Sequence, residues 1–269
     1  MKPVSLLLAL TFLLFFGPVQ ARTLCTLVAD PDTRAVLLAK GDCETRVTPA
    51  STFKLPLAVI GFDAGILKSA HDPVLPFKEG YPDWGGAPWQ RDNDPLSWMT
   101  HSTLWYSQRL TEQLGAEQFA RYVTAMGYGN ADLSGDAGQN NGLQRSWISS
   151  SLRISPLEQA GFMASLLKGQ LPVSQDAHRL ALSLVQAAGT ADGWTIYGKT
   201  GSAYPRNSKG NFIYSQGWGW YLGWAEKDGK RLVLVRLNQD SENHDITAGW
   251  RAHDEIIAEW PGLMAQIGR

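Results

Sequence analysis

Three features of the sequence predict an α+β fold in which an antiparallel β-sheet is flanked by helices. Short apolar segments of strand length stand near the start, apolar residues recur at helical spacing through the middle, and a late stretch alternates with period two. The composition suits a packed core: of 269 residues 44% are hydrophobic, and 11 Trp, 8 Tyr and 9 Phe argue against a disordered chain. The 24 Lys and Arg balance 25 Asp and Glu to a formal net charge of −1, with no basic run. A groove built to neutralise phosphates needs a basic excess, so nucleic acid is not expected as a partner.

The elements follow in order. Lys2, the apolar run 4–16 and the small residues Val19 and Ala21 read as a secretory signal cleaved after Ala21; the run is too short to span a membrane. Residues 22–269 then form one domain with no membrane attachment. Residues 23–29 and 35–39 are apolar runs joined by Asp30-Pro31-Asp32-Thr33, which predicts a hairpin. The two cysteines, Cys25 and Cys43, flank it, and export to an oxidising compartment favours a disulfide between them over two free thiols. Thr48-Pro49 reads as an N-cap with Pro at the first helical position, opening a helix over 51–60.

Residues 70–95, rich in Pro, Gly, Asp and Trp, are expected to be loop, followed by helices over 103–114 and 116–126 that end at Gly115 and Gly127. Ser155-Pro156-Leu157-Glu158 is a capping box for a helix reaching about Leu167, and Ser174 caps another reaching Gln186. Strands are predicted over 194–197, 216–225 and 231–237, the last two joined by Lys227-Asp228-Gly229-Lys230. Within 218–224 large side chains alternate mostly with glycine, so one face is bulky and the other admits a close neighbour. A helix over 247–264 ends the chain.

Three short segments carry chemistry. In Ser51-Thr52-Phe53-Lys54 the hydroxyl and the amine share a helix face, and first-turn N–H groups are free to meet an oxyanion. Burial of Lys54 would favour its neutral, basic form. Lys199-Thr200-Gly201, expected at a strand end, offers a cation and a hydroxyl for a carboxylate, and Gly201 lets a substrate lie against the strand. Ser102 opens a predicted helix between them. Each segment alone has an ordinary explanation: a solvated helix start, a strand-end turn, an N-cap. Their order in an exported chain matches the Ser-x-x-Lys, Ser-Asp-Asn and Lys-Thr-Gly set of serine β-lactamases and penicillin-binding proteins.

With Pro49 to Lys54, Tyr128-Gly129-Asn130, Ser146-Trp147-Ile148 and Gly223-Trp224 added, nearly the whole mature chain resembles the class D (oxacillinase-type) serine β-lactamases. That resemblance implies a transpeptidase-like fold, periplasmic location and hydrolysis of a small β-lactam through an acyl-enzyme on Ser51. It implies no metal or bound cofactor. It also implies that Lys54 is an N6-carboxylysine formed from CO2, serving as general base in both half-reactions with the Trp147 indole holding it. Ser102 relays a proton to the lactam nitrogen. Lys199, Thr200, Gly201 and Arg251 hold the substrate, and the N–H groups of Ser51 and Ser202 form the oxyanion hole. Leu104 stands where the family has Val, and with Ile148 it would restrict access to Lys54. The rivals are a penicillin-binding sensor or transpeptidase on the same fold, and an inactive secreted scaffold. A metallo-β-lactamase is disfavoured because His71, His101, His178, His244 and His253 form no ligand motif.

Overall fold

The alternating segments at the end of the chain find partners at its beginning. The computed structural model describes residues 22–268, so the signal and its cleavage point lie outside the described residues. Six strands form one antiparallel sheet: β1 (Arg22–Ala29), β2 (Val36–Gly41), β3 (Ala187–Ala191), β4 (Trp194–Ala203), β5 (Trp218–Lys227) and β6 (Lys230–Gln239). Their order across the sheet is β2-β1-β6-β5-β4-β3. The helices are α1 (Lys54–Asp63), α2 (Pro95–His101), α3 (Leu104–Leu114), α4 (Ala116–Ala125), α5 (Gly142–Arg145), α6 (Pro156–Leu167), α7 (Gln175–Ser183) and α8 (Ala248–Ile267).

The sheet divides two cores. Trp220, Leu222 and Trp224 of β5 face the larger one, with α1, α3 and α6. Tyr221 and Ala225 face Ile256 and Trp260 of α8 on the other side. As the alternation predicts, the small residues admit a neighbour: a Cβ on Gly219 would lie 2.1 Å from the Ala248 carbonyl oxygen. The hairpin between β5 and β6 turns through Asp228 and Gly229, both at positive φ (50° and 76°), as a two-residue hairpin loop requires. Helix α1 is buried from Lys54 to Phe62, and side chains such as Leu55, Leu57 and Ile60 each stabilise the fold by about 1.5–3 kcal/mol. Ser155 and Glu158 form the expected capping box of α6. The side chain of Ser174 caps α7. Cys25 in β1 and Cys43 after β2 are joined as a disulfide, with Cα atoms 5.1 Å apart.

Several elements differ from expectation. The chain around Ser51 is a 3-10 turn, Ala50–Phe53, before α1 begins. Thr48 does not cap it; its hydroxyl donates instead to the Trp147 carbonyl. Helix α2 fills the stretch between the expected loop over 70–95 and the expected helix over 103–114, and Ser102 is its C-cap in the left-handed conformation (φ 61°) rather than an N-cap. Strand β4 continues to Ala203, so Lys199-Thr200-Gly201 lies within a strand, not at its end. Helix α7 stops at Ser183, and the chain from Ala187 forms β3, a strand whose Ala and Gly give no apolar signature.

Candidate active site

The turn that carries Ser51 is held from three sides. Ala50 sits at φ 50° and its N–H donates to the Trp147 carbonyl at 3.0 Å. Thr48 binds the same carbonyl at 2.8 Å, accepts from Ser149 N–H at 3.0 Å, and offers its own carbonyl to the Trp220 indole at 2.8 Å. From α6, Gln159 donates to the Thr52 hydroxyl at 2.9 Å and accepts from Tyr128 at 3.2 Å. Phe53 stacks on Trp147 with ring centroids 5.5 Å apart and meets Tyr128 edge-on at 5.3 Å. Thr48 and Gln159 are buried polar groups whose hydrogen bonds brace this turn. Sequence reasoning missed both: Thr48 looked like a cap, and nothing local marks Gln159.

Strand β4 supplies the closest approach. Strand β3 pairs with β4 only as far as Tyr197, opposite Ala187. Beyond it one edge of β4 is unpaired, and the Ala50–Phe53 turn packs against β4 there. A Cβ on Gly201 would come within 3.0 Å of the Pro49 carbonyl oxygen and 3.2 Å of Thr52 N. Gly201 therefore makes room for the turn that carries Ser51. On the opposite side, the Ser202 hydroxyl accepts from Gly249 N–H at 2.9 Å, tying β4 to the start of α8.

Lys54 and Lys199 are both buried. Burial, and next the positive charge of Lys199, hold the Lys54 amine well below the ordinary lysine range. Burial pulls Lys199 down to about 8. Neither lysine has an acidic partner, and the Lys54 side-chain amine has no hydrogen bond among the described residues, although the Lys54 backbone N–H donates to the Ser51 carbonyl. An amine taken from water without a partner loses its proton, because desolvation penalises only the charged form. Ser102 sits half-buried at the end of α2, whose Met99 and Thr100 line a cavity together with Lys199 and Thr200. Leu104 is buried and Ile148 half-buried, both against the larger core.

Arg251 is engaged elsewhere. Its guanidinium pairs with the buried Asp240 and donates to the Ile246 carbonyl. The sequence offered Arg251 as a free cation and did not single out Asp240. The structure brings Arg251 to the first turn of α8, beside Ser202, with its charge already matched.

Comparison with known proteins fits this geometry. Residues 24–259 match the family model described as the penicillin binding protein transpeptidase domain. The chain is 40% identical to the β-lactamase OXA-9 of Klebsiella pneumoniae over 98% of this chain and 99% of that protein. It is 31% identical to the β-lactamase OXA-1 of Escherichia coli over 87% of this chain and 82% of that protein. The crystal structure of the OXA-427 class D β-lactamase superposes with a TM-score of 0.83 at 43% identity, covering 90% of this chain and 99% of that one. This chain belongs to the class D β-lactamases.

What a class D β-lactamase needs for deacylation is a base, and the carboxylates in the loops around the site are committed elsewhere. Asp136 meets Arg145, Arg206 and Ser150. Asp132 accepts from Ser134 N–H, and Glu158 pairs with Arg46 while capping α6. Burial opposes it, yet hydrogen bonds, joined at Asp136 and Glu158 by neighbouring arginines, hold all three below the usual carboxylate range. Such carboxylates are poor proton acceptors. Among the described residues no three His, Cys, Asp or Glu gather as metal ligands.

Proposed function

We infer that this chain hydrolyses the β-lactam amide of penicillin-type antibiotics through an acyl-enzyme on Ser51, and so confers resistance to them. The observation that carries the mechanism is the buried Lys54 amine, without a side-chain partner one turn from Ser51, whose burial favours the neutral form, in a site where Asp132, Asp136 and Glu158 are engaged elsewhere. Ser51 Oγ attacks the lactam carbonyl as its proton passes to the Lys54 side chain. The C–N bond then breaks, and the ring nitrogen takes a proton by way of the Ser102 hydroxyl. Water, deprotonated by the same Lys54 side chain, next attacks the acyl carbon and releases the product from Ser51.

The oxyanion would meet the N–H groups of Ser51 and Ser202. Tyr204 N–H donates to Ser149 Oγ at 3.1 Å, toward the nucleophile turn. Strand N–H groups alternate in direction, so that of Ser202 is aimed the same way. Lys199 and Thr200 would hold the substrate carboxylate, with Arg251 in support because Asp240 already offsets its charge.

The residues present suit carboxylation of Lys54. Only a neutral amine reacts with CO2, burial keeps Lys54 neutral, and the buried Trp147 has an indole N–H that donates to none of the described residues. Once formed, the carbamate would supply a stronger base at this position. Residues 1–21 would direct export to the periplasm, leaving residues 22–269 as a single catalytic domain; the Cys25–Cys43 bridge suits that compartment.

The match to a transpeptidase domain supports a second reading, a penicillin-binding sensor or transpeptidase that keeps its acyl group. Mass spectrometry after brief and long exposure to a penicillin separates the two. The hydrolase gives a transient adduct on Ser51, and Lys54→Ala and Trp147→Ala make it persist. A stable adduct on the unaltered chain would establish the sensor reading. Activity indifferent to added bicarbonate and to acid would remove carboxylation.

A further inference from the structure

Charged and polar side chains of β6 and α8 meet inside the protein, and the reaction above uses only the last of their contacts. Arg236 and Asn238 of β6 and Asp240 just after it stand two residues apart, each almost wholly buried. Arg251, Glu255 and Glu259 stand four apart on one stripe of α8. The Arg236 guanidinium donates to Glu259, and to Glu255 at 3.4 Å. The Asn238 amide donates to Glu255 at 2.7 Å, and Asp240 pairs with Arg251. Arg236 also reaches the Thr23 hydroxyl of β1 at 3.0 Å.

These contacts form a ladder because the two periods nearly match. Two residues of strand advance ~6.8 Å and four residues of helix ~6 Å, so successive rungs stay in step. The signs are not symmetric along it. At the end near Ser202 the strand side brings the anion and the helix the cation, and at the far end the charges are reversed. Sliding α8 by one turn in one direction would set Glu255 against Asp240. Sliding it the other way would leave the buried Asp240 without its cation. Both are costly away from water, so the ladder admits one register. Its last rung is Arg251, and in the same turn Gly249 N–H meets the Ser202 hydroxyl at 2.9 Å.

We propose that Arg236, Asn238, Glu255 and Glu259 are positioning residues for the substrate carboxylate: they fix the register of α8 on β6 and so hold Arg251 where it supports that group. Arg236 lies four strand residues from Asp240, or ~14 Å, and acts through the helix rather than on the substrate. Glu255 is the central group, because it accepts from both Arg236 and Asn238. Without it the buried Asn238 amide loses its acceptor, a loss that α8 relieves by shifting, and Arg251 shifts with it. The inference rests on the β-lactamase reading, in which Arg251 supports the carboxylate.

A penicillin and its methyl ester, which lacks the carboxylate charge, provide the test. The second-order rate of acylation by each is measured by stopped flow for the unaltered chain, Glu255→Ala, Glu255→Gln, Glu259→Ala, Arg251→Ala and the double variant Arg251→Ala/Glu255→Ala. Glu259 is half exposed, so its variant should fold even if Glu255→Ala does not. Glu255→Ala is expected to slow the penicillin about tenfold and Glu259→Ala about threefold, with the ester altered less than about twofold. Glu255→Gln keeps an acceptor for Asn238 and should restore most of the ratio between the two compounds. With Arg251 already removed, adding Glu255→Ala should leave that ratio unchanged. Penicillin and ester slowed by one common factor would mean a merely structural ladder and overturn the proposal. So would a fall in the ratio as large in the Arg251→Ala background as in the unaltered chain. Because acylation precedes hydrolysis, an adduct that never clears would overturn the hydrolase reading while leaving these ratios measurable.

Discussion

At Lys199 burial and function pull against each other. A cation is wanted opposite the substrate carboxylate, yet burial brings the amine down to about 8, within reach of mildly alkaline conditions. Arg251 cannot fully compensate, since Asp240 and the Ile246 carbonyl already occupy its guanidinium. Below about 8 Lys199 would be charged and would hold the carboxylate, and above it the amine would be neutral. For a β-lactam with a free carboxylate, kcat/KM should fall through this range, approaching about tenfold per pH unit beyond it, mainly through KM. Lys199→Ala should raise KM at pH 7 and abolish the alkaline step. A step that persists in that variant would show that another group titrates. Lys54 acts at the opposite limb, because its lowered value preserves a neutral base as the pH falls.

At the scale of the element, the site depends on how closely the nucleophile turn approaches β4. Gly201 sets that distance: a Cβ there would press on the Pro49 carbonyl at 3.0 Å and on Thr52. In Gly201→Ala the turn must withdraw by a few tenths of an ångström, carrying Ser51 with it. Displacements approaching 1 Å can cost ~100-fold in rate, so acylation should slow by about 10- to 100-fold while the thermal melt stays cooperative. Equal acylation rates in the variant and the unaltered chain would mean that the turn has slack. This dependence explains what could be read in advance. Ser51, Lys54 and Lys199 were legible because their motifs are local and ordered along the chain. The purpose of Gly201 was not, because it arises where two distant segments touch. Ser102 was misread for a related reason: α2 is only seven residues long, too short to show a helical period, so the serine that ends it resembled one that begins the next. Gln159 reaches Thr52 across the fold, and Asp240 reaches Arg251 over the loop between β6 and α8; no spacing announces such contacts.

For the whole molecule, the alternation in β5 and β6 announced a sheet, but its order depends on β1 inserting between β2 and β6. The N-terminal strand is thus an interior strand that must find β6 across almost the whole chain, with Thr26 opposite Arg236 and Val28 opposite Leu234. Closing so long a loop is entropically costly. The Cys25–Cys43 bridge, spanning 18 residues of sequence, ties β1 to the chain beyond β2 and limits the freedom of the unfolded state. A loop of that size corresponds to about 3 kcal/mol. In a domain of this length that is worth roughly 6–12 °C in Tm. The bridge begins in β1, which is three strands removed from β4 in the sheet order, or ~14 Å at the usual strand spacing. Replacing both cysteines by alanine should therefore lower Tm by that amount and leave kcat/KM unchanged below the melt. Parallel loss of activity in a variant that remains folded would mean that the hairpin helps to position the nucleophile turn, through the Val47–Ile154 bridge that follows Cys43.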